Sequence, residues 1–196
     1  VEDNLKNDVL AHEASLKLAK ANFYKKDFDW TLQQVKNLKQ SSSLLIANDA
    51  VELFLLIQDN SIEDSLRVAL QAYAKADLQL YQKKNEEALQ SFLTILEKHK
   101  GESIEDETLL KIADIYYQKK DYLKALSYYQ NILDNHKEGI YIDEALFFSA
   151  EIYRKHLLDN EKAKPLYEKM VLEHPDSLYY TESRKQYRTL RGDTTI

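Results

Sequence analysis

The chain has 196 residues, of which 44% are hydrophobic and 31% are charged, and its formal net charge is −6. That balance is typical of a soluble globular protein, excludes a disordered or membrane-embedded chain, and speaks against nucleic acid as the main partner. Three glycines and two prolines are too few for the frequent turns of a β-sheet protein, so the sequence predicts a largely helical fold. The absence of cysteine excludes disulfide bonds, thiolate metal sites and cysteine nucleophiles.

The N-terminal third is predicted to be helical but irregular. Its expected helices cover residues 3–25, 28–39 and 43–58, followed by a helix over 62–84. The run from Lys17 to Phe28 has the form of a degenerate helix-turn-helix, and Trp30 is expected to fill the interior of that pair. Ser41 to Ser43 are expected to link and cap the next helix. Because the sequence begins with neither an initiator Met nor a signal-like segment, we expect a fragment or mature form of a longer protein.

The longest apolar-rich stretch runs from Leu44 to Ile57. Asn48, Asp49 and Glu52 interrupt it, and it is too short to cross a bilayer. The stretch therefore predicts a buried helix, and no transmembrane segment is expected in this chain.

A repeat organises the remainder of the chain. A triplet of a small, an acidic and an aliphatic residue begins at Ala76, Ala113 and Ala150, with spacings of 37 and 37 residues. A second set of positions repeats with it. Each group of this set begins with an alanine, which is followed by an aromatic residue four positions later and by Ile or Met three positions after that. This set is Ala88, Phe92 and Ile95, then Ala125, Tyr129 and Ile132, then Ala163, Tyr167 and Met170. The spacing i, i+4, i+7 places each group on one stripe of a helix that packs against its neighbours.

Each unit is thus predicted to be two helices, A and B, joined by a short polar turn such as residues 118–121. Small residues let the two helices approach within about 8–10 Å. These positions resemble the tetratricopeptide repeat family, whose pattern places small residues in the middle of helix A and early in helix B, with an aromatic residue four positions later. Tyr116 and Tyr122 fit two further aromatic positions and Pro175 fits the terminal proline, whereas Gln79 and Asn85 depart from the pattern.

The resemblance implies an all-α fold, a right-handed α-solenoid of helix-turn-helix repeats. We divide the chain into irregular N-terminal helical repeats (1–61), three units with a C-terminal capping helix (62–190) and a frayed tail (191–196), with Gly192 expected to end the last helix. The period of 37 residues exceeds the family's usual value of about 34. This period and the link from His174 to Tyr179 are similar to bacterial cell-envelope tetratricopeptide proteins, such as outer-membrane assembly lipoproteins and periplasmic division coordinators. That similarity implies a periplasmic or envelope-associated location, and the alternative is a cytoplasmic one.

Three of the five histidines follow the repeat. His99, His136 and His174 are spaced 37 and 38 residues apart, which places them at the C-terminal ends of successive B helices, where a cation interacts favourably with the helix dipole. Neighbouring helix pairs hold such residues about 10 Å or more apart, so we do not expect them to coordinate one metal together. His12 and His156 have no acidic or nucleophilic companion at a recognisable spacing.

Known catalytic motifs are absent from the sequence. It contains no phosphate loop, dinucleotide fingerprint, nucleophile elbow or His-Glu-x-x-His motif, and its few glycines leave little material for the tight backbone turns of such sites. We therefore expect a protein that is not an enzyme, with no catalytic residues, no cofactor and no metal.

The A helices carry the residues that indicate what kind of partner the chain binds. In a superhelix of helical pairs the A helices line the concave face, so Asp77, Asp114 and Glu151 predict a ladder of three acids there. Residues at neighbouring A-helix positions complete the expected lining: Tyr73, Leu80, Glu107, Leu110, Tyr117, Glu144, Phe147 and Arg154. Such a groove favours an extended or helical partner that carries Lys or Arg beside hydrophobic anchors. The alternative is that the ladder only solubilises the surface.

The last helix is expected to carry a basic face formed by Arg184, Lys185, Arg188 and Arg191. Such a face suits an acidic partner or a membrane surface, and a polar helix that caps the solenoid explains it equally well. The Arg-Gly-Asp triplet at residues 191–193 is interpreted as a chance match to an adhesion motif.

The leading hypothesis for function is a non-catalytic protein-protein interaction module, which binds a peptide or protein segment on the concave A-helix face within a larger bacterial envelope protein. The alternative is a structural spacer or self-association segment with no ligand of its own. A binding module should retain defined peptides, whereas a spacer should retain none.

Overall fold

The computed structural model describes residues 9–41, 43–62, 66–137 and 139–193. Over these ranges the chain forms ten α-helices and no strand, so the predicted all-α class is confirmed. Internal contacts divide the chain into two compact units, residues 1–105 and 106–196. The predicted division after residue 61 rested on the regularity of the repeats, and it stays a prediction.

The first unit contains five helices, α1 to α5. Their bounds are α1 (Val9–Tyr24), α2 (Phe28–Leu38), α3 (Leu44–Asp59), α4 (Val68–Tyr81) and α5 (Asn85–Lys98). Helices α1 and α2 form the predicted helix-turn-helix, and the rings of Phe23 and Phe28 fill its interior with their centroids 5.5 Å apart. The expectation that Trp30 fills this space is wrong, because its side chain is 51% exposed. Trp30 follows the buried Phe28 by two residues, which turns it toward the opposite side of the helix.

The predicted ends of α4 and the predicted cap of α3 need correction. The helix expected over 62–84 begins only at Val68, because Arg67 adopts a left-handed backbone with φ of 52°, and it ends at Tyr81. Ser43 occupies the N-cap position of α3 but makes no capping hydrogen bond through its side chain. Residues 3–8, Ser42 and residues 63–65, which the predictions also covered, lie outside the described residues.

Helix α3 contains the apolar stretch and is buried along one side only. Ile46, Ala50 and Leu53 are buried, whereas Leu44 is 78% exposed and Leu45 is 73% exposed. In the described part of the chain, no helix is both long enough and apolar enough to cross a membrane.

The second unit contains two hairpins and a terminal helix. Its helices are α6 (Glu105–Gln118), α7 (Tyr122–Asn135), α8 (Ile142–Glu151), α9 (Asn160–Glu173) and α10 (Tyr180–Arg191), and a π-helical turn (Ile152–His156) extends α8. Tyr116 of α6 stacks on Tyr128 of α7 with ring centroids 5.6 Å apart. Helix α10 packs Tyr187 and Leu190 against the buried cluster of the second hairpin.

The repeat positions form the cores of both units. The alanines of the triplets and every residue of the second repeating set are buried: Ala76, Ala88, Phe92 and Ile95 in the first unit, and Ala113, Ala125, Tyr129, Ile132, Ala150, Ala163, Tyr167 and Met170 in the second. The predicted phase of the repeat is therefore confirmed. The alanines permit the close approach of paired helices, and the aromatic rings fill the space beside them.

The four hairpin turns share one backbone device. Each places a non-glycine residue in the left-handed region immediately before the N-cap of the following helix, and these residues are Lys26, Lys83, Lys120 and Leu158. In three turns the N-cap is an aspartate that accepts a backbone N–H hydrogen bond three residues on; these are Asp27, Asp121 and Asp159. The Lys-Lys-Asp sequences at 25–27 and 119–121 thus end one helix and start the next.

The π-helical turn accounts for a change in the repeat spacing. Ala113 and Ala125 are 12 residues apart, but the equivalent Ala150 and Ala163 are 13 apart. The extra residue is accommodated where the Leu157 N–H bonds to the Ile152 carbonyl, five residues back instead of four. The insertion leaves both alanines fully buried.

The helix C-termini are placed as predicted. His99, His136 and His174 are the C-cap residues of α5, α7 and α9, and each donates its backbone N–H to the carbonyl four residues back. Gly192 ends α10 in the left-handed conformation with φ of 86°. The predicted frayed tail (191–196) is wrong for its first part, because Arg191 is the last residue of α10 and its side chain bonds to Asp193, and residues 194–196 lie outside the described residues.

Candidate functional site

The acids of the predicted ladder each accept a hydrogen bond from a tyrosine hydroxyl. In the first unit, Tyr24 donates to Asp77 with an O···O distance of 3.0 Å. In the second unit, Tyr129 donates to Asp114 at 2.8 Å, and Tyr167 donates to Glu151. In both hairpins of the second unit, the acid lies on helix A and the tyrosine is the buried aromatic residue of helix B, so the bond fastens the pair together.

Burial raises the pKa of each of these tyrosines, and the neighbouring carboxylate raises it further. The three phenols therefore stay protonated and act as donors over the whole physiological range.

Glu151 is the most buried acid of the ladder, with 5% of its surface exposed. Arg154 lies 3.3 Å from its carboxylate, and Lys155 contacts the other carboxylate oxygen. Burial alone would raise the pKa of Glu151, but hydrogen bonds from Lys155 and Tyr167 and the charges of Lys155 and Arg154 lower it below its ordinary value. The predicted acid is thus part of a compensated charge cluster.

The predicted partner-binding face contains both buried and accessible residues. Tyr73, Glu107, Leu110 and Glu151 are buried, which leaves little of their side chains for a partner. The other predicted residues are partly exposed: Asp77, Leu80, Asp114, Tyr117, Glu144, Phe147 and Arg154. Tyr73 packs edge-on against Phe92 at 5.4 Å within the core of the first unit.

Six accessible aromatic residues of the second unit form a continuous strip. We call it the aromatic strip, and it consists of Tyr122, His156, Tyr117, Phe148, Phe147 and Tyr179. Ring-centroid distances between successive members are 4.0, 5.7, 6.1, 5.5 and 4.5 Å, all consistent with direct ring contact. None of the six side chains is buried. The strip joins two predicted residues, Tyr117 and Phe147, to four that the predicted face did not include.

The π-helical turn builds one end of this strip. His156, the last residue of the turn, stacks face to face on Tyr122, with an interplanar angle of 8°. Its Nε2 atom lies 3.3 Å from the Tyr117 hydroxyl. The sequence contains one signal for this arrangement, the extra residue between Ala150 and Ala163, because an inserted residue in a helix turns the following side chains to a new direction.

The histidine and carboxylate side chains lie in separate small groups. Nowhere in the described ranges do three or more His, Asp or Glu side chains converge as metal ligands. His99 pairs with Glu102 at 3.0 Å and His174 with Asp143 at 2.8 Å, so two of the repeat histidines have separate carboxylate partners.

His12 has a hydroxyl companion that its sequence spacing did not indicate. Its Nδ1 atom lies 2.7 Å from the Ser41 Oγ atom, 29 residues away, and that oxygen also accepts the Ser43 N–H. Because Ser41 is buried, the contact ties α1 to the segment before α3 and does not form an accessible nucleophile.

A comparison with known protein families gives two matching segments, and these coincide with the two hairpins that carry this strip. The first matching segment spans α6 and α7, and the second spans most of α8, the π-helical turn and α9. Residues 107–138 and 144–177 match the tetratricopeptide repeat family. Among curated proteins, none matches the chain. Tetratricopeptide repeats generally mediate protein-protein interactions, and the match indicates no enzyme family.

Proposed function

We propose that the chain is a non-catalytic protein-binding module and that the aromatic strip of its second unit is the contact surface for a partner. The supporting observation is the strip itself, in which six rings that are not buried lie in unbroken contact on tetratricopeptide repeat hairpins. Large aromatic surfaces supply much of the affinity in protein interfaces, and rings already packed together lose little freedom when a partner binds.

The chemistry of the strip favours a partner segment with apolar and basic side chains. Aromatic faces attract both apolar groups and cations. Asp114 lies on the same helix as Tyr117, and the residue is partly exposed. Glu151 contributes less to such recognition, because Arg154 and Lys155 already compensate its charge. The rings therefore carry most of the proposed recognition, and Asp114 supplies attraction for Lys or Arg.

The proposed biological setting is a larger bacterial envelope protein in which this chain serves as an adaptor. The long repeat period and the link from His174 to Tyr179 support this setting by their similarity to envelope tetratricopeptide proteins. The seven accessible residues of the predicted face remain part of the proposal, Asp77 and Leu80 on the first unit and Asp114, Tyr117, Glu144, Phe147 and Arg154 on the second, whereas the four buried ones do not.

Peptide binding tests the proposed surface. The probe is a fluorescein-labelled peptide of alternating Lys and Leu residues, and its fluorescence anisotropy is measured with the parent chain and with His156→Ala and Tyr179→Ala variants. We expect each variant to bind at least about fivefold more weakly, because each removes one ring from the contact surface.

The matched control is Leu123→Ala, which removes an exposed apolar side chain from α7, outside the strip. An equal loss of affinity in all three variants would indicate nonspecific adsorption and contradict the proposal. Absence of peptide binding together with concentration-dependent self-association would favour the alternative of a spacer or self-association segment.

A further inference from the structure

Helix α10 presents a basic face that the aromatic strip does not use. Its outward residues Thr181, Arg184, Lys185 and Arg188 follow the spacing i, i+3, i+4, i+7, which places them on one side of the helix. The helix has four basic residues and one acid, Glu182, in a chain whose formal net charge is −6. Positive charge is thus concentrated on one side of an otherwise acidic protein.

The opposite side of α10 is committed to the core of its unit. Ser183 is fully buried, and Tyr187 and Leu190 pack against the cluster of Ala150, Ala163 and Tyr167. The Tyr187 hydroxyl also donates to Glu168 of α9. These contacts hold the helix in place, so its cationic side faces outward on a fixed support.

A carboxylate of the chain already occupies one end of this face. Asp193 accepts hydrogen bonds from the Arg191 Nε atom at 2.9 and 3.0 Å and a further one from the Arg191 Nη2 atom, and the Arg188 Nε atom lies 3.8 Å from it. The hydrogen bond from Arg191 lowers the pKa of Asp193. The bidentate contact is the geometry in which Arg binds carboxylates most strongly.

The other end of the face holds uncompensated charge. Arg184 and Lys185 are exposed, and no carboxylate among the described residues pairs with either side chain. Together with Arg188, Thr181, Thr189 and Asp193 they line a shallow groove of about 240 Å³. The groove therefore offers two unpaired cations beside a position where a carboxylate is bound.

We propose that this face of α10 binds an acidic segment of a partner protein, whose carboxylates pair with Arg184 and Lys185 and compete with Asp193 for Arg188 and Arg191. The positive charge of this face favours a partner segment that carries negative charge. A membrane surface is disfavoured, because helices that lie on membranes insert an apolar side, and the apolar side of α10 is packed against α9. The surface is separate from the aromatic strip, so the two proposals stand independently.

The test measures anisotropy of a fluorescein-labelled poly-glutamate peptide with the full chain. We expect the double variant Arg184→Gln, Lys185→Gln to bind roughly tenfold more weakly, since two charge contacts are lost. The matched control, Lys98→Gln with Lys100→Gln, removes the same charge from exposed positions of the first unit and should leave binding nearly unchanged. Circular dichroism of each variant checks that the helices are retained.

The Asp193→Asn variant should change the affinity for the acidic peptide in the opposite direction. Removing the competing carboxylate should tighten peptide binding by roughly twofold to fivefold. Equal weakening in both double variants, or no tightening by Asp193→Asn, would overturn the proposal. Binding to phosphatidylserine vesicles without binding to the acidic peptide would overturn it as well and assign the face to membranes.

Discussion

At the scale of single residues, the tyrosine–carboxylate pair explains two repeated features of the sequence together. The acid after the helix A alanine and the aromatic residue after the helix B alanine are partners across each hairpin of the second unit. Both positions were identified from their spacing, but their contact was not predicted, because the spacing within each helix says nothing about which side chains meet between two helices. The tyrosines thus perform a polar function as well as filling space.

Replacing Tyr129 with Phe should destabilise the second unit by about 1 kcal/mol, because it removes one hydrogen bond and leaves the ring packing intact. Equilibrium unfolding in urea measures this change. Tyr128→Phe is the control, since no described hydrogen bond of its hydroxyl would be lost. If both variants unfold at the urea midpoint of the parent, the hydroxyl bond to Asp114 does not fasten the hairpin.

In the Glu151→Gln variant, the free energy of unfolding should vary less with pH in the acid range than it does in the parent chain. Because the folded chain lowers the pKa of Glu151, its contribution is present above the ordinary value of 4.5 and is lost as the pH falls through the lowered pKa. We expect the variant to be less stable than the parent by roughly 1–2 kcal/mol near neutral pH, and the difference to shrink below about pH 4.

Urea unfolding at several pH values measures the difference, and the exposed Glu97→Gln serves as control. A difference between parent and Glu151→Gln that stays constant over the acid range would mean that the charge of Glu151 does not stabilise the fold.

At the scale of the elements, the hairpin turns show how a short sequence both ends and starts a helix. A lysine in the left-handed region is an uncommon choice, because a side chain at positive φ carries a steric cost that glycine avoids. The Lys-Lys-Asp sequence was interpreted as a polar turn, but its backbone conformation was not predicted, since glycine is the usual signal for it. The aspartate that follows provides compensation by capping the next helix.

Lys120→Gly should therefore stabilise the chain by about 0.5–1 kcal/mol, by relieving the strain at positive φ. The neighbouring Lys119→Gly should destabilise it by about 0.5 kcal/mol, because glycine there only adds freedom to the unfolded chain. Thermal unfolding of the two variants provides the measurement. If both variants were more stable than the parent, or both less stable, the backbone strain assigned to Lys120 would be contradicted.

At the scale of the whole molecule, the sequence predicted most of the fold and less of the candidate site. The alanine, aromatic and aliphatic residues of the second repeating set were placed correctly in the core, because burial on one helical stripe follows directly from spacing, whereas Trp30, Tyr73 and Leu110 were not placed correctly. The helix start near residue 62 was wrong, because nothing in the sequence signals the left-handed Arg67. The aromatic strip was found only in part, since it depends on the π-helical turn and on contacts among α6, α8 and residues before α10.

The proposal that the strip binds a partner can be tested most directly by locating a bound peptide. Peptides selected from a random library on the full chain are titrated into isotopically labelled protein, and chemical-shift changes are mapped by nuclear magnetic resonance. We predict that the largest changes fall on the aromatic strip, particularly at Tyr117, Phe147 and Tyr179. Changes confined to the outer surface of α7, at Leu123, Ser127 and Gln130, would contradict the proposed site.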